Sequence, residues 1–399
     1  MIKQMFLMIW NRKRQNALMT VGIVISFFSL FLVFTTLFYM LNNYFKPLGF
    51  EYEDVWYLNP GWSVQEPEEI LETIRQVEFA LDTYPEIVSH AYSSCFLFVP
   101  AAMSMSSFMN NGEEVTVNRG LAGDHFDEVL GIDLVAGRWF DDQDNASQRT
   151  PIIINKQVQE EFFPDQDPIG KMLVDDDGKE FAVIGQIGEF RSTGDFSGSK
   201  MYIFNRASTS MAPDWIDKMD GMFSRILFRV KPGTPRELEQ RIQTHVTSIA
   251  KNWTVKMGRF DEARESANRQ TIILPTIMAI ICAFLIINVA LGLFGVIWYN
   301  TKRRTSEIGL RRALGATVKR IHAQIIGEAL FLATFGIIIG LFFAIQFPIL
   351  GVMGFIGPNI YLLASLVSVA LIYVITFFCA LYPGNQASQI EPAIALHDE

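Results

Sequence analysis

Apolar positions gather in four long blocks, one near the start of the chain and three near its end. Residues 17–41, ALMTVGIVISFFSLFLVFTTLFYML, contain no charged side chain, and neither do residues 271–298. A third block, 323–347, carries one acid, Glu328, in its first two turns, and a fourth covers 360–382. At about 1.5 Å per residue, each block rises far enough to cross a hydrocarbon core of roughly 30 Å, so the pattern predicts four transmembrane helices. Uncharged runs of this length suit a bilayer better than the buried helices of a soluble core. The first block is also longer than a signal-peptide core, and no small-x-small cleavage site follows it, so it is predicted to be a retained helix.

The polar stretch 43–270 has its own frame. A strand over 51–58 is followed by an amphipathic helix over 67–84, which has Pro67 at its start and acids in its first turn, and then by a strand over 88–99. The order recurs as a strand at 224–230, a helix at 234–250 with Pro235 in its first turn, and a strand at 253–257. These two strand–helix–strand units bracket the region and predict one porter-like α+β subdomain. Short strands at 115–121, 151–154, 171–174, 180–187 and 201–204, separated by Gly-, Asp- and Asn-containing turns, predict a mainly-β subdomain inserted at about 113–210. The run Asp175-Asp176-Asp177-Gly178 lacks the alternating acids of a calcium loop and predicts a hairpin turn. Residues 261–274 contain no Gly or Pro, so a helix is expected to run unbroken into the second span as a stiff lever. The fold class is therefore a membrane protein of α+β type: four transmembrane helices, with a large extracytoplasmic α+β domain at 43–270 between the first two.

Charge orients this plan. Residues 1–16 place Met1, Met5, Met8 and Ile9 at helical spacing beside Lys3, Arg12, Lys13 and Arg14, which predicts a cytoplasmic interfacial helix. Segment 299–322 carries Lys302, Arg303, Arg304, Arg311, Arg312, Lys319 and Arg320 against Glu307 alone. The positive-inside rule puts both segments in the cytoplasm, with the tail 383–399, and leaves 43–270 outside. That is the periplasmic side of an inner membrane if the cell has two. The outer region has 22 Lys and Arg against 37 Asp and Glu, a net −15 beside a chain total of −9. So acidic a head offers no nucleic-acid footprint. Cys282 and Cys379 fall in spans and Cys95 is alone in the outer region, so no internal disulfide is expected there.

Catalytic patterns are not found. Gly170-Lys171 is followed by Met172 and has Asp165 where a phosphate loop needs its first glycine. His90, His125, His245, His322 and His397 show no metal-ligand spacing, and no GxSxG or HExxH run occurs. Glu328 reads as an interfacial acid in contact with water, with a contact to the loop or a neighbouring helix as the alternative. Asn288, midway along the second span, is expected to hydrogen-bond across helices.

The sharpest signal is the segment 301–317, TKRRTSEIGLRRALGAT. Ser306 is expected to cap a short helix, Glu307 to pair at i,i+4 with Arg303 and Arg311, and Gly315 to end it. Ile308, Leu310, Arg311 and Leu314 give it apolar and basic faces. Docking into a groove on a partner and binding to anionic membrane lipid account for this composition equally well.

Here the chain resembles a known family. RRTSEIGLRRALGAT followed by Ile321, Gln324 and Glu328 is similar to the signature of MacB-type permeases, the family that includes FtsX and the lipoprotein-releasing Lol permeases. LGIDLVAGRWF (130–140), TPIIINKQVQEEFF (150–163), DPIGK (167–171) and FAVIGQIGEF (181–190) resemble the MacB-like periplasmic core domain. The start, NRKRQNALMTVGIVIS, and the end, IEPAIALHDE, follow the family pattern too. The resemblance implies two permease chains side by side, identical or different, each bound through its loop helix to an ABC ATPase subunit. Glu307, Ile308, Gly309, Leu310, Arg311, Arg312, Leu314 and Gly315 would form the ATPase-coupling contact. ATP and Mg would be bound by that partner in trans, with no cofactor or catalytic site in this chain. A periplasmic adaptor protein is a further implied partner. The implied work is mechanotransmission, moving the outer domains to export or extract a peptide, drug or lipoprotein substrate. Envelope signalling of the FtsX type is an alternative, although this outer domain is much larger than that of cell-division FtsX. A membrane-anchored extracytoplasmic enzyme is the rival from another class, and would need a convergent polar site that the sequence does not display.

Overall fold

A computed structural model of the chain describes residues 13–62, 66–99, 105–147, 149–207 and 224–388. Residues 1–12 of the expected interfacial helix and 389–399 of the tail lie outside the described residues. The chain divides into two compact units, one of residues 1–42 with 272–399 and one of residues 43–271.

Among the described residues, four helices are long and apolar enough to cross a membrane: Lys13–Tyr44, Phe260–Lys302, Val318–Ala344 and Pro358–Ser388, the first to fourth spans below. The third stops at Ala344, and Gln346–Ile349 form a separate turn of helix. A core of Ile23, Phe27, Leu30, Ala333, Ile337, Ala364 and Ile372 joins the first, third and fourth spans. Gly336 and Gly340, one turn apart, make their closest approach possible. A Cβ at Gly336 would lie 2.7 Å from Ile23 Cγ2, and one at Gly340 would lie 2.5 Å from Phe27 Cδ1. This is the small-xxx-small seam of membrane helices, in which missing side chains let the neighbouring helix approach. Asn288 does not bridge helices. Its amide donates to the Phe284 carbonyl of its own helix at 2.9 Å, the bond nearest to hand for a short polar side chain on a helix.

The interspan domain is built on one sheet. Strands β1 (Val55–Trp62), β2 (Ile87–Ser93), β10 (Arg225–Val230) and β11 (Trp253–Arg259) pair antiparallel in the order β11-β1-β10-β2. Helices Pro67–Asp82 and Glu237–Ile249 cross between them, which gives the split strand–helix–strand arrangement of ferredoxin-like folds. Alternate strand residues Trp56, Leu58, Ile226 and Phe228 meet Ile70, Ile74, Val77, Leu238, Ile242 and Val246 at helical spacing, so the two periodicities share one core. β1 starts at Val55 rather than at residue 51, because Asp54 takes a positive φ of 58° and turns the chain into the strand. It continues through Pro60 to Trp62; β10 pairs only Val55–Leu58, so the missing Pro60 N–H breaks no bond on that side. β2 ends at Ser93 rather than at 99, and Phe98 follows with φ 57°.

The remaining strands are β3 (Met105–Asn110), β4 (Glu113–Ala122), β5 (Leu134–Gly137), β6 (Thr150–Ile154), β7 (Met172–Val174), β8 (Glu180–Ile187) and β9 (Tyr202–Arg206). They run β4-β9-β6-β8-β5, with β3 on β4 and β7 on β8, and join the first group through the single pair Ser93↔Ala122. The expected inserted strands therefore extend the same sheet. The β7–β8 hairpin turns at Asp175–Gly178; Asp175 Oδ1 accepts from the Lys179 amide at 2.7 Å, and Gly178 takes φ 79°.

Candidate functional site

The segment between the second and third spans forms a short helix, Thr305–Ala313. Its start differs from the expected cap. The second span stays helical through Lys302, Arg303 and Arg304 turn the chain, and Arg304, with φ −108°, takes the cap position, so Ser306 falls inside the first turn. Thr305 Oγ1 donates to the Lys302 carbonyl at 2.6 Å and tightens the corner. The end is as expected. Gly315 takes φ 92°; its amide donates to the Arg312 carbonyl and the Ala316 amide to the Arg311 carbonyl, both at 3.0 Å. This paired closure requires a left-handed residue, which only glycine supplies at little cost.

The helix has two distinct faces. Ile308, 6% exposed, and Gly309 turn inward, and Ile308 packs on Ile321 of the third span and Ala387 of the fourth. Glu307, Leu310 and Leu314 share the outward face at i, i+3 and i+7, with Leu310 51% and Leu314 80% exposed. Arg311 and Arg312 lie half-buried at its flanks, and Gly315 is exposed. Of the eight residues assigned to partner contact from sequence, Glu307, Leu310, Leu314 and Gly315 are open to a partner. Ile308 and Gly309 seat the helix on its own chain.

A relay of polar side chains holds that seat. Arg311 Nη2 donates to Glu307 Oε1 at 2.6 Å and Nη1 to Gln324 Oε1 at 3.0 Å. Gln324 Nε2 donates to Glu328 Oε1 at 2.9 Å, and Arg304 Nη1 to Glu328 Oε2 at 2.6 Å. Glu328 is thus the anchor of the loop, not an interfacial acid whose partner is water. A carboxylate at that depth is costly without a cation, and the turn at 303–304 supplies one. Glu307 pairs with Arg311 but not with Arg303, whose guanidinium lies over the Tyr299 ring at 5.8 Å. Arg304 and Gln324 had no assigned role in the sequence. The signal that points to Arg304 is the lone acid in an otherwise apolar block, 24 residues after a basic triplet.

Elsewhere, an open groove between Pro67–Asp82 and Glu237–Ile249 is lined by Glu72, Arg75, Phe79, Thr83 and His245. Nearby, burial first and then Asp82 and Asp124 push the Glu78 carboxyl up to about 7, against the opposing pull of Arg75 and His125. Among the described residues no group of three or more His, Cys, Asp or Glu is arranged to hold a metal ion.

Residues 16–245 match the family model of the MacB-like periplasmic core domain, and residues 277–392 match the FtsX-like permease C-terminal model. The chain belongs to the MacB/FtsX-like family of ABC transporter permeases. Among curated relatives, the permease is 27% identical over 312 residues to the macrolide export ATP-binding/permease protein MacB of Campylobacter fetus, covering 75% of this chain and 45% of that protein. It is 23% identical over 377 residues to the MacB protein of Pasteurella multocida, covering 89% of this chain and 53% of that one. The permease thus spans about half the length of these relatives. A crystal structure of the periplasmic region of MacB from Actinobacillus actinomycetemcomitans aligns at 14% identity and TM-score 0.40, over 55% of this chain and 94% of that one.

Proposed function

We propose that this permease couples ATP hydrolysis by a separate ABC ATPase subunit to movement of its acidic domain on the far side of a cytoplasmic membrane. The ATPase docks on the outward ridge of helix Thr305–Ala313, and ATP and Mg are bound there, in the partner. Two permease chains work together, their termini and loop helices are cytoplasmic, and the work done outside is export or extraction of a peptide, drug or lipoprotein. The observation that carries this reading is the ridge itself. Two leucines stand exposed on one face of a helix whose other face is fixed by Ile308, Arg304 and Glu328. A rigid helix presenting an apolar ridge with charged flanks is what a groove on a partner protein recognises.

The test is co-purification of the full chain with a candidate ABC ATPase. The substitutions Leu310→Asp plus Leu314→Asp are expected to lower recovery by about tenfold or more, the loss of two buried apolar side chains, while membrane insertion is unchanged. Unchanged recovery would overturn the docking assignment. Orientation is checked by labelling Val88→Cys with a membrane-impermeant maleimide, since Val88 is exposed on β2. Cys95 is unsuitable because burial pushes its thiol up to about 11. Labelling only after permeabilisation would sink the topology.

A further inference from the structure

The loop between β8 and β9 holds a buried polar cluster to which neither the family models nor the ridge assigns a role. Arg191 is 1% exposed, the largest fully buried side chain among the described residues of the interspan domain. Its guanidinium donates to backbone carbonyls: Nη1 to Lys46 at 2.5 Å and to Pro47 at 3.2 Å, Nε to Ser197 at 2.9 Å, and Nη2 to Asp195. Its own amide donates to the Leu48 carbonyl at 3.0 Å. Residues 46–48 immediately follow the helix Lys13–Tyr44. The last turn of that helix is gripped as well, since Asn43 Nδ2 donates to the Phe196 carbonyl at 3.4 Å and the Tyr44 ring stacks on Phe196 at 5.3 Å.

Four residues after Arg191, the same loop turns to the other chain end. The Asp195 carboxylate, buried, accepts from Arg264 Nε and Nη2, each at 2.9 Å, and from Asn268 Nδ2. Arg264 Nη1 donates onward to Tyr52 Oη at 2.6 Å, and its guanidinium lies 4.2 Å from the Tyr52 ring centre. Arg264 and Asn268 lie one turn apart near the start of the 43-residue helix that becomes the second span. Two glycines make the geometry possible. A Cβ at Gly49 would lie 1.7 Å from the Glu189 carbonyl oxygen, and one at Gly194, whose φ is 115°, would lie 3.2 Å from Asn268 Oδ1.

We propose that the loop Arg191–Ser197 is the joint that fastens the interspan domain to both chain segments continuing into the first and second spans, with Arg191 and Asp195 as positioning residues. A buried guanidinium bound to carbonyls and a buried bidentate carboxylate are directional and hard to exchange for water, so such a joint carries force instead of yielding to it. That this force originates at an ATPase rests on the proposed function; the joint itself does not.

The experiment uses the full chain in lipid nanodiscs with a fluorophore on Val88→Cys and reads time-resolved anisotropy. With the joint intact, the domain is expected to reorient with the disc. In Asp195→Asn and in Arg264→Ala, residual anisotropy at long times is expected to fall by roughly twofold as the domain gains independent motion, with partial recovery in Arg264→Lys. Hydrogen exchange is read on the same samples. Exchange about tenfold faster, confined to residues 43–48, 191–198 and 260–271, supports the joint, because those amides open as one local unit. Unchanged anisotropy overturns it. Faster exchange throughout β4, β9 and β6 also overturns it, since the cluster would then be only part of the fold. Co-purification with the candidate ATPase is expected to be unchanged in these variants. Failure of the unsubstituted chain to bind any ATPase would sink the proposed function and leave the anisotropy result standing.

Discussion

Arg304, just after the helix Phe260–Lys302, and Arg264, near its start, both close on carboxylates, yet the clusters around them are built differently. At the loop helix, Arg304, Gln324, Glu328, Arg311 and Glu307 pair side chain to side chain, and every member keeps part of its surface in solvent. Around Arg191, the guanidinium binds main-chain carbonyls and the facing carboxylate, Asp195, is 4% exposed. Side-chain pairs in partial contact with water are individually weak and can rearrange when a partner docks. A buried charge bound to the main chain cannot move without moving the backbone, and removing it strands several acceptors at once. The first cluster suits a surface that meets and releases a partner, and the second suits a permanent tie.

The largest expected effect is therefore at Arg191. Arg191→Met keeps most of the volume but leaves the carbonyls of Lys46, Asp195 and Ser197 without their donor. A loss of about 4 kcal/mol in stability of the interspan domain is expected, read as earlier thermal unfolding and faster proteolysis. A loss below about 1 kcal/mol would erase the distinction between the two clusters.

Glu78 sharpens the contrast, because it is a half-buried charge with no such cage. Its carboxyl is pushed up to about 7, first by burial and then by Asp82 and Asp124. The folded domain therefore holds this proton more tightly than the unfolded chain, whose carboxyl titrates near 4.5. Stability from this group is complete below the unfolded value and is lost as pH rises through about 7. Unfolding of the unsubstituted chain at acidic and alkaline pH should show this slope. Glu78→Gln should flatten it and make the domain more stable above neutrality, by about 2 kcal/mol. Equal pH slopes in the two proteins would mean that Glu78 reaches water more freely than its surroundings suggest.

At the loop helix the effect is smaller. A double-mutant cycle with Arg304→Gln and Glu328→Gln should give a coupling of about 1–2 kcal/mol, read from unfolding in detergent, since neither partner is fully buried. A coupling near zero would mean that Ile308 alone seats the helix.

How much of this was legible beforehand follows from the kind of signal each part leaves. The spans, the two strand–helix–strand units, the Asp175–Gly178 turn and the Gly315 stop are written in local periodicity or in single residues with one use. The Gly336–Gly340 seam is legible in the same way, as two glycines four apart in an apolar helix. β3, MSSFMN, and β5, LVAG, were missed because the first has neither clean alternation nor β-branched residues and the second is only four residues long. The pair Arg304–Glu328, and the contacts of Arg191 with Lys46 and of Asp195 with Arg264, join residues 24, 145 and 69 positions apart, and no periodicity links them. For Arg191 the sequence shows only one of two basic residues, with Lys200, in a Gly- and Ser-rich loop, the usual composition of an exposed turn.

The smallest expected effect is a control that both clusters must pass. Glu265 and Arg269 lie in the same helical stretch as Arg264 and Asn268 and pair at i,i+4, but their side chains are mostly in solvent. If charge pairing in this stretch stabilised the domain irrespective of burial, Arg269→Ala would resemble Arg264→Ala. Water screens the exposed pair and both long side chains lose entropy in forming it, so the two contributions nearly cancel. Arg269→Ala should change stability by no more than about 0.5 kcal/mol and leave the anisotropy of a Val88→Cys label unaltered. A drop in anisotropy as large as that of Arg264→Ala would show that the helix as a whole, and not its grip on Asp195, fixes the domain.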